Sequence, residues 1–120
     1  MSTYPVWALT LPFPPSNNRY YRHARGRHYI DQPGRDYRKA VAGIVKGIGM
    51  PKLTGRLHVT IHAAPPDRRR RDLDNMLKAL LDALTVAEAY EDDSQIDSIG
   101  IKRVFPVKGG KIHIAIEAAA

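Results

Sequence analysis

The residues best suited to chemistry are four consecutive arginines that lead directly into two aspartates. The aspartates are Asp72 and Asp74, Lys78 stands four residues after the second, and the arginines are Arg68, Arg69, Arg70 and Arg71. Arginine side chains bind phosphate, whereas neighbouring carboxylates repel it unless a divalent cation lies between them. A segment that concentrates both kinds of residue predicts a metal-dependent site acting on a nucleic-acid backbone.

The two aspartates also have a purely structural interpretation. Asp72 would be a good helix N-cap, and an acidic residue in the first turn suits the helix dipole. Two features favour the metal site: an arginine run opposes the N-terminal dipole, and Lys78 lies one turn beyond Asp74. Side chains two residues apart point about 200° apart in a regular helix. The pair therefore converges only if Asp72 is extended and Asp74 lies in the first turn.

A second acidic group, Glu91-Asp92-Asp93, precedes the next predicted strand. A chain that returns from a helix to a strand could bring this group back near the start of the helix. Mg²⁺ takes oxygen ligands and keeps several waters, so two or three aspartates beside a phosphate would be enough to hold it. By spacing alone, the alternative is a solvated acidic turn.

The chain is basic, because 19 Lys and Arg residues against 12 Asp and Glu give a formal net charge of +7. Such a surface favours polyanionic partners, although charge alone does not require one. The absence of cysteine excludes disulfides and thiolate metal sites and fits a cytoplasmic location. Residues 1–15 have no basic n-region and are interrupted by prolines, and charged residues break the most apolar helical stretch. We therefore expect neither a signal peptide nor a membrane span.

Basic and aromatic residues alternate in segment 16–34, which we predict to be a polar loop. This mixture suits phosphate contacts and base stacking, and an exposed loop anchored by its tyrosines is an equal alternative. The predicted DNA contacts in this segment are Asn17, Asn18, Arg19, Tyr20, Arg22, Arg25 and Arg27.

Hydrophobic periodicity predicts four strands and two helices in the order β-α-β-α-β-β. Lys108-Gly109-Gly110 predicts a hairpin between the last two strands. We expect a single domain over residues 1–120 of α+β or mixed α/β class, with both helices packed on a mixed four-stranded sheet. The predicted strands are 6–11, 57–62, 96–105 and 111–117, the first helix is 36–48, and the second follows the arginines.

Two further patterns concern the faces of these elements. Leucines of the second helix would dock it on the sheet, while Asp74, Lys78 and Asp82 form a separate charged stripe available to a ligand. His58 and His62 are predicted to share the polar face of a strand, and we do not expect them to bind metal.

The chain resembles the RusA family of Holliday-junction resolvases, which are small endodeoxyribonucleases of bacteria and their phages. The resemblance covers nearly the whole length and rests on four motifs in the same order. They are LPFPPSNNRYYRH at 11–23, PDRRRRDLDN at 66–75, Asp92-Asp93, and Gly109-Gly110 before the last strand.

This resemblance implies three catalytic, metal-binding aspartates, at Asp72, Asp74 and Asp93, and an essential lysine at Lys78. Arg71 would match a functionally important arginine. The resemblance further implies an α/β fold and Mg²⁺ as the cofactor, with Mn²⁺ as an alternative. A homodimer would act on a four-way DNA junction.

One local departure from the family concerns the second acidic group. Tyr90-Glu91 precedes Asp92-Asp93, where an apolar residue is expected immediately ahead of the pair. Glu91 or Asp92 therefore competes with Asp93 for the role of third ligand.

Together these observations predict a Mg²⁺-dependent endodeoxyribonuclease that resolves four-way junctions in recombination and repair. Two alternatives use the same charges. A non-catalytic basic DNA-binding module would leave the aspartates idle, and a metal-dependent nuclease could act on other branched DNA or on RNA.

Overall fold

A computed structural model describes residues 6–16, 21–24 and 27–119, with the backbone alone for residues 21–24 and 27–29. Over these residues the chain forms six strands, two α-helices and a short 3₁₀ turn at Asp93–Gln95. The elements are β1 (Val6–Leu11), β2 (Tyr21–Ala24), β3 (Arg27–Ile30), α1 (Gln32–Gly47), β4 (Leu57–Ala64), α2 (Leu73–Val86), β5 (Ile96–Arg103) and β6 (Lys111–Ala118).

Four of the strands form one mixed sheet in the order β1-β6-β4-β5. β5 runs parallel to β4, whereas β6 runs antiparallel to both β4 and β1. The predicted fold class and element order are confirmed for this sheet and its two helices.

The core lies between one face of the sheet and the two helices. Along β4, Leu57, Val59 and Ile61 are buried, whereas His58 is half-buried and His62 is exposed. This alternation places the histidines on the face opposite the core, as predicted. The helices contribute Tyr37, Val41 and Val45 from α1 and Met76, Ala79, Leu80, Ala83 and Leu84 from α2.

The predicted hairpin at Lys108-Gly109-Gly110 is wrong. These residues do form a turn, but β5 and β6 do not pair, because β4 lies between them. The reason is that β4, α2 and β5 form a parallel crossover unit, which places β5 beside β4 on one side. β6 is left to pair with β4 on the other side.

Segment 16–34 is also more regular than predicted. β2 and β3 pair antiparallel as a separate two-stranded sheet, so a stretch expected to be a loop contains a hairpin. Backbone pairing does not depend on apolar side chains, and polarity was therefore a poor guide here. α1 begins at Gln32, four residues before the predicted start at Asp36, with a proline in its first turn. The first turn tolerates proline because its N–H groups have no intrahelical partner.

The charged stripe of α2 is only partly available to a ligand. Asp82 accepts two hydrogen bonds from Arg38 of α1, at 2.7 and 3.0 Å, in a half-buried ion pair between the two helices. Asp74 and Lys78, the other two members of the stripe, are exposed. The stripe therefore ends in a helix–helix contact.

The crossover unit determines where the sequence motifs lie. In parallel β4 and β5 the carboxyl ends lie at the same edge of the sheet, and α2 begins above that edge. The Asp93–Gln95 turn immediately precedes β5 and therefore lies at the opposite, amino edge. Among the described residues, no helix is both long and apolar enough to cross a membrane.

Candidate active site

The start of α2 has the backbone arrangement that convergence of its aspartates requires. Asp72 is the N-cap, in extended conformation (φ −90°, ψ 135°), and Asp74 lies in the first turn. Both side chains are exposed. Asp72 makes no capping hydrogen bond to any described residue. Asp72 therefore occupies the N-cap position without capping the helix through its side chain, and its carboxylate remains available.

The four arginines divide into two kinds. Asp67 binds Arg71 at 2.6 Å and Arg69 at 3.2 Å, and it also accepts a hydrogen bond from the Arg69 backbone N–H. The Arg71 guanidinium, with the Arg69 backbone, holds the pKa of the Asp67 carboxyl well below its usual range. Arg68 and Arg70 form no hydrogen bond or ion pair with the described part of the chain. Arg68 and Arg70 are thus the pair available to a phosphate.

Arg71 is held from three sides. In addition to Asp67, its guanidinium carbon lies 6.0 Å from the centre of the Phe13 ring, a cation–π distance. Arg103, the last residue of β5, donates a hydrogen bond to the Arg71 carbonyl. These contacts fix the extended chain that leads into Asp72. Our sequence analysis missed both Asp67 and Arg103. The i, i+4 spacing of Asp67 and Arg71 was a usable signal for the first, whereas Arg103 has none.

Gly110 allows three segments that are distant in sequence to pack against one another. Its φ is +74°, and a Cβ at this position would lie 2.6 Å from Phe13 Cβ and 3.1 Å from Pro66 Cδ. Only glycine allows this backbone to approach so closely. Phe13 and Pro66 belong to the two proline-containing motifs, so Gly110 lets all three segments pack together beside the arginines.

A groove of about 940 Å³ opens between these segments and the helix starts. Phe13, Tyr37 and Met76 contribute apolar surface, and Asp72 is among its acidic residues. Asp36, at the start of α1, also lines it and was not predicted to do so. The remaining polar lining includes Arg69, Arg70, Arg71, Asn75 and Arg103. A carboxylate beside several guanidinium groups in an open groove can bind a phosphodiester together with a cation.

The second acidic group, Glu91-Asp92-Asp93, forms a local capping motif, unlike the aspartates at the start of α2. Asp92 is the N-cap of the Asp93–Gln95 turn, and its side chain accepts a hydrogen bond from the Ser94 N–H at 3.0 Å. The Gln95 side chain accepts hydrogen bonds from the N–H groups of Asp92 and Glu91, at 2.9 and 2.7 Å, which completes a capping box. The bonds from Ser94 hold the pKa of the Asp92 carboxyl below its ordinary value. Asp93 is exposed in the first position of the turn.

Asp93 lies at the amino edge of the sheet, whereas α2 begins at the carboxyl edge. The buried Tyr90 hydroxyl donates to the Leu81 carbonyl at 2.8 Å. Burial raises the pKa of Tyr90, and the nearby charge of Asp93 contributes to the increase. Leu81 lies seven residues beyond Asp74, which corresponds to about 10 Å along the helix axis. Over residues 6–16 and 30–119, where side chains are described, no three acidic or histidine side chains are grouped closely enough to hold a metal ion.

The remaining predicted residues are placed as follows. Lys78 is exposed on α2, one turn after Asp74. Arg22 and Arg27 lie in β2 and β3, where only the backbone is described. The other predicted DNA contacts of the same segment fall outside the described residues, namely Asn17, Asn18, Arg19, Tyr20 and Arg25.

The donor set at the start of α2 suits a hard divalent cation. Mg²⁺ is usually bound through one or two carboxylates and several waters. Asp72 and Asp74 offer such carboxylates, since their side chains accept no hydrogen bond from any residue in the described ranges. Asp93, the third predicted ligand, lies at the opposite edge of the sheet from Asp72 and Asp74.

Residues 12–117 match the family described as Endodeoxyribonuclease RusA. A protein named Crossover junction endodeoxyribonuclease RusA, from Escherichia coli (strain K12), is 44% identical over 122 residues, which covers 97% of this chain and 95% of the relative. Relatives of the same name from Enterobacteria phage 82 and Shigella sonnei (strain Ss046) are 45% and 44% identical, with the same coverage.

Proposed function

Since this chain belongs to the RusA family of endodeoxyribonucleases, we propose that it is a crossover junction endodeoxyribonuclease. It hydrolyses phosphodiester bonds of four-way DNA junctions in recombination and repair. The observation that carries this proposal is a pair of exposed aspartates, Asp72 and Asp74, that follows closely after the arginine run. Two of these arginines, Arg68 and Arg70, form no ion pair within the described chain, and the whole chain has a net charge of +7. A DNA-binding module has no use for acidic residues at the centre of its basic surface, whereas a metal-dependent nuclease requires them.

We propose Asp72, Asp74 and Asp93 as the ligands of Mg²⁺, with Mn²⁺ as an alternative. When bound, the ion would supply an activated water and stabilise charge on the leaving oxygen. Asp92 is the weaker candidate for third ligand, because its carboxylate already accepts the Ser94 N–H. Glu91 is exposed and remains an alternative.

Basic residues would perform the remaining tasks. Lys78 would stabilise the charge that develops on the scissile phosphate or position the attacking water. Arg68 and Arg70 would bind backbone phosphates, while Arg69 and Arg71 keep the segment in shape through Asp67. Residues 17–27 would also hold the DNA backbone.

The enzyme would act as a homodimer in which Asp93 of each protomer completes the metal site of the other. Asp93 and the start of α2 lie towards opposite ends of β5, an eight-residue strand that spans roughly 25 Å. A site that uses all three aspartates therefore draws on a second chain. A two-fold dimer also suits a junction in which two symmetric strands are cut. An enzyme of this activity works where DNA is found, so we place it in the cytoplasm.

Cleavage of a synthetic four-way junction, compared with a duplex of matched sequence, tests the function. We expect paired nicks in opposing strands of the junction with Mg²⁺, no cleavage with EDTA, and restoration when Mg²⁺ is added back. Equal nicking of junction and duplex would leave only a general nuclease. Binding without cleavage under any divalent ion would leave a binding module.

A further inference from the structure

Phe105 stands out among the apolar side chains of the described residues. At 86% it is the most exposed large hydrophobic residue, ahead of Val6 at 54% and Val86 at 48%. It lies between β5 and β6, on the loop 104–107. A single exposed apolar residue is common and needs no explanation by itself. Phe105 differs from such residues because its loop is fixed by hydrogen bonds and lies near arginines.

The loop that carries Phe105 is anchored on both sides of the ring. The Val104 N–H donates to the Ala63 carbonyl and the Val107 N–H to the Pro65 carbonyl, each at 2.9 Å. A further bond from the Gly110 N–H to the Val107 carbonyl, at 2.7 Å, closes the turn that follows. The residue after Phe105 is a proline, which restricts the backbone further. The end of β4 therefore holds the loop in place while the ring points away from the core.

The loop that carries the ring also lies opposite the available arginines. A cavity of about 260 Å³ separates the loop from the arginine segment and is lined by Val104 and Pro106 on one side and by Arg68 and Arg70 on the other. Lys102 and Lys108 flank the loop in sequence. An exposed aromatic ring on a loop that faces these guanidinium groups across a small cavity offers two kinds of contact to one strand of DNA. A base of the strand stacks on the ring while its phosphates bind the cations.

We propose that Phe105 stacks on a nucleobase that has lost a stacking neighbour at the branch point of the DNA junction. Arg68 and Arg70 hold phosphates of the same strand. Bases within a duplex already stack on both faces, so the ring gains nothing there, whereas a branch point or a single strand offers a free base face. Phe105 would thus contribute selectivity for branched DNA, and this inference rests on the proposed function.

A second copy of the chain is a poorer occupant for this surface. In a two-fold contact a patch meets its own copy, and the arginines opposite the loop would then face those of the partner. Such like-charge contacts oppose association. DNA has the complementary charge, and it also has a flat apolar surface to cover the ring.

The test compares Phe105→Ala and Phe105→Leu with Phe105→Trp, and uses Val86→Ala as a matched change at an exposed apolar position on α2. Binding is measured in EDTA, so that no cleavage occurs, on a four-way junction and on a matched duplex. A 2-aminopurine base is placed at the branch point, within an arm, or in a single strand. We expect wild type, Phe105→Trp and Val86→Ala to change the fluorescence of the branch-point and single-strand probes.

Phe105→Ala and Phe105→Leu should lose that signal and bind the junction about tenfold more weakly, which corresponds to about 1.4 kcal/mol. Their duplex affinity should stay within about twofold. Unchanged junction binding and fluorescence in Phe105→Ala would overturn the inference. An equal loss on duplex would do so as well, and so would conversion of a dimer to a monomer.

The two proposals fail in different ways. Wild type that prefers junctions, together with unchanged Phe105 variants, removes only the stacking role. Wild type without any junction preference removes the resolvase function, and the single-strand probe then still decides whether Phe105 stacks on a base.

Discussion

Two aspartates of this chain occupy the same kind of position and are used in opposite ways. Asp72 and Asp92 are both N-caps with extended backbones, at φ −90°, ψ 135° and φ −159°, ψ 148° respectively. Both are exposed. Asp92 accepts the Ser94 N–H and takes part in a capping box. Asp72 makes no comparable bond within the described chain.

The difference shows that position alone does not decide what a helix-start aspartate does. At Asp92, a glutamine three residues on turns back to the N-cap backbone and completes a local motif. At Asp72 the third residue on is Asn75, whose side chain makes no such return bond within the described chain. The Asp72 carboxylate instead lines a groove with guanidinium groups. One aspartate therefore serves the fold, and the other is available for chemistry.

Replacing the aspartates at the start of α2, and separately Asp92, with asparagine tests whether the two N-caps differ in function. Asp72→Asn and Asp74→Asn should reduce junction cleavage by a factor on the order of 10² or more, because each removes a proposed metal ligand. Junction binding should stay intact or become tighter, since phosphate repulsion falls. Asp92→Asn should cleave within a few-fold of wild type. Single-turnover rates beside binding constants provide the measurement, and near-normal cleavage by Asp74→Asn would remove the assignment.

Mixed dimers test whether the two acidic segments act across protomers. A heterodimer of one Asp74→Asn chain and one Asp93→Asn chain, purified through two different tags, contains one intact site only if Asp93 acts on its partner. We expect each homodimeric variant to be inactive and the heterodimer to nick one strand of the junction. An inactive heterodimer would show that both segments act within one chain.

Lys78 lies on α2, one turn after Asp74, and a substitution there tests whether this part of the helix takes part in catalysis. If it acts on the transition state, Lys78→Ala should slow cleavage by about 10²-fold with little change in junction affinity. If it only forms an i, i+4 pair with Asp74, the variant should cut normally. Rapid-quench rates at saturating enzyme decide between the two outcomes. Lys78→Arg is the matched control that keeps the charge.

The arginines that precede Asp72 should have a smaller effect, on the salt dependence of DNA binding. Arg70→Ala should reduce the slope of log K against log salt by about one, because it removes one phosphate contact. Arg69→Ala should change that slope less, since Arg69 is bound to Asp67. Titrations of duplex DNA at several salt concentrations measure both variants. Equal slopes for the two would contradict the division of the arginine run.

The smallest effect concerns the capping segment. Asp92→Ala should lower Tm by a few degrees, as roughly expected for a lost N-cap, whereas Asp72→Ala should not. The folded-state pKa of Asp92 lies below its ordinary value. Its contribution to stability is therefore present above the unfolded carboxyl pKa of about 3.9 and lost as the pH falls through the folded value. Thermal melts between neutral and acidic pH should show a larger loss in wild type than in Asp92→Ala, because Asp67 and Asp97, whose pKa values are also lowered, still respond to acid in the variant.

Local patterns in the sequence were sufficient for much of this protein. Alternation predicted β4 and β6, helical periodicity predicted both helices, and the order of elements followed from them. The conformation at Asp72 and Asp74 was also predictable, because the requirement that the pair converge left one backbone arrangement. Such features depend on neighbours a few residues apart, which the sequence displays directly.

Only the tertiary structure decided which strands pair and where distant groups meet. Lys108-Gly109-Gly110 has the composition of a hairpin turn, yet β5 pairs with β4, because the crossover through α2 places it there. The same crossover puts Asp93 at the far end of β5 from Asp72, although the sequence suggested that they could meet. Asp67 forms ion pairs with Arg69 and Arg71 but not with Arg68 or Arg70. These outcomes depend on which elements share a core, and burial of that core, rather than any local preference, selects the arrangement.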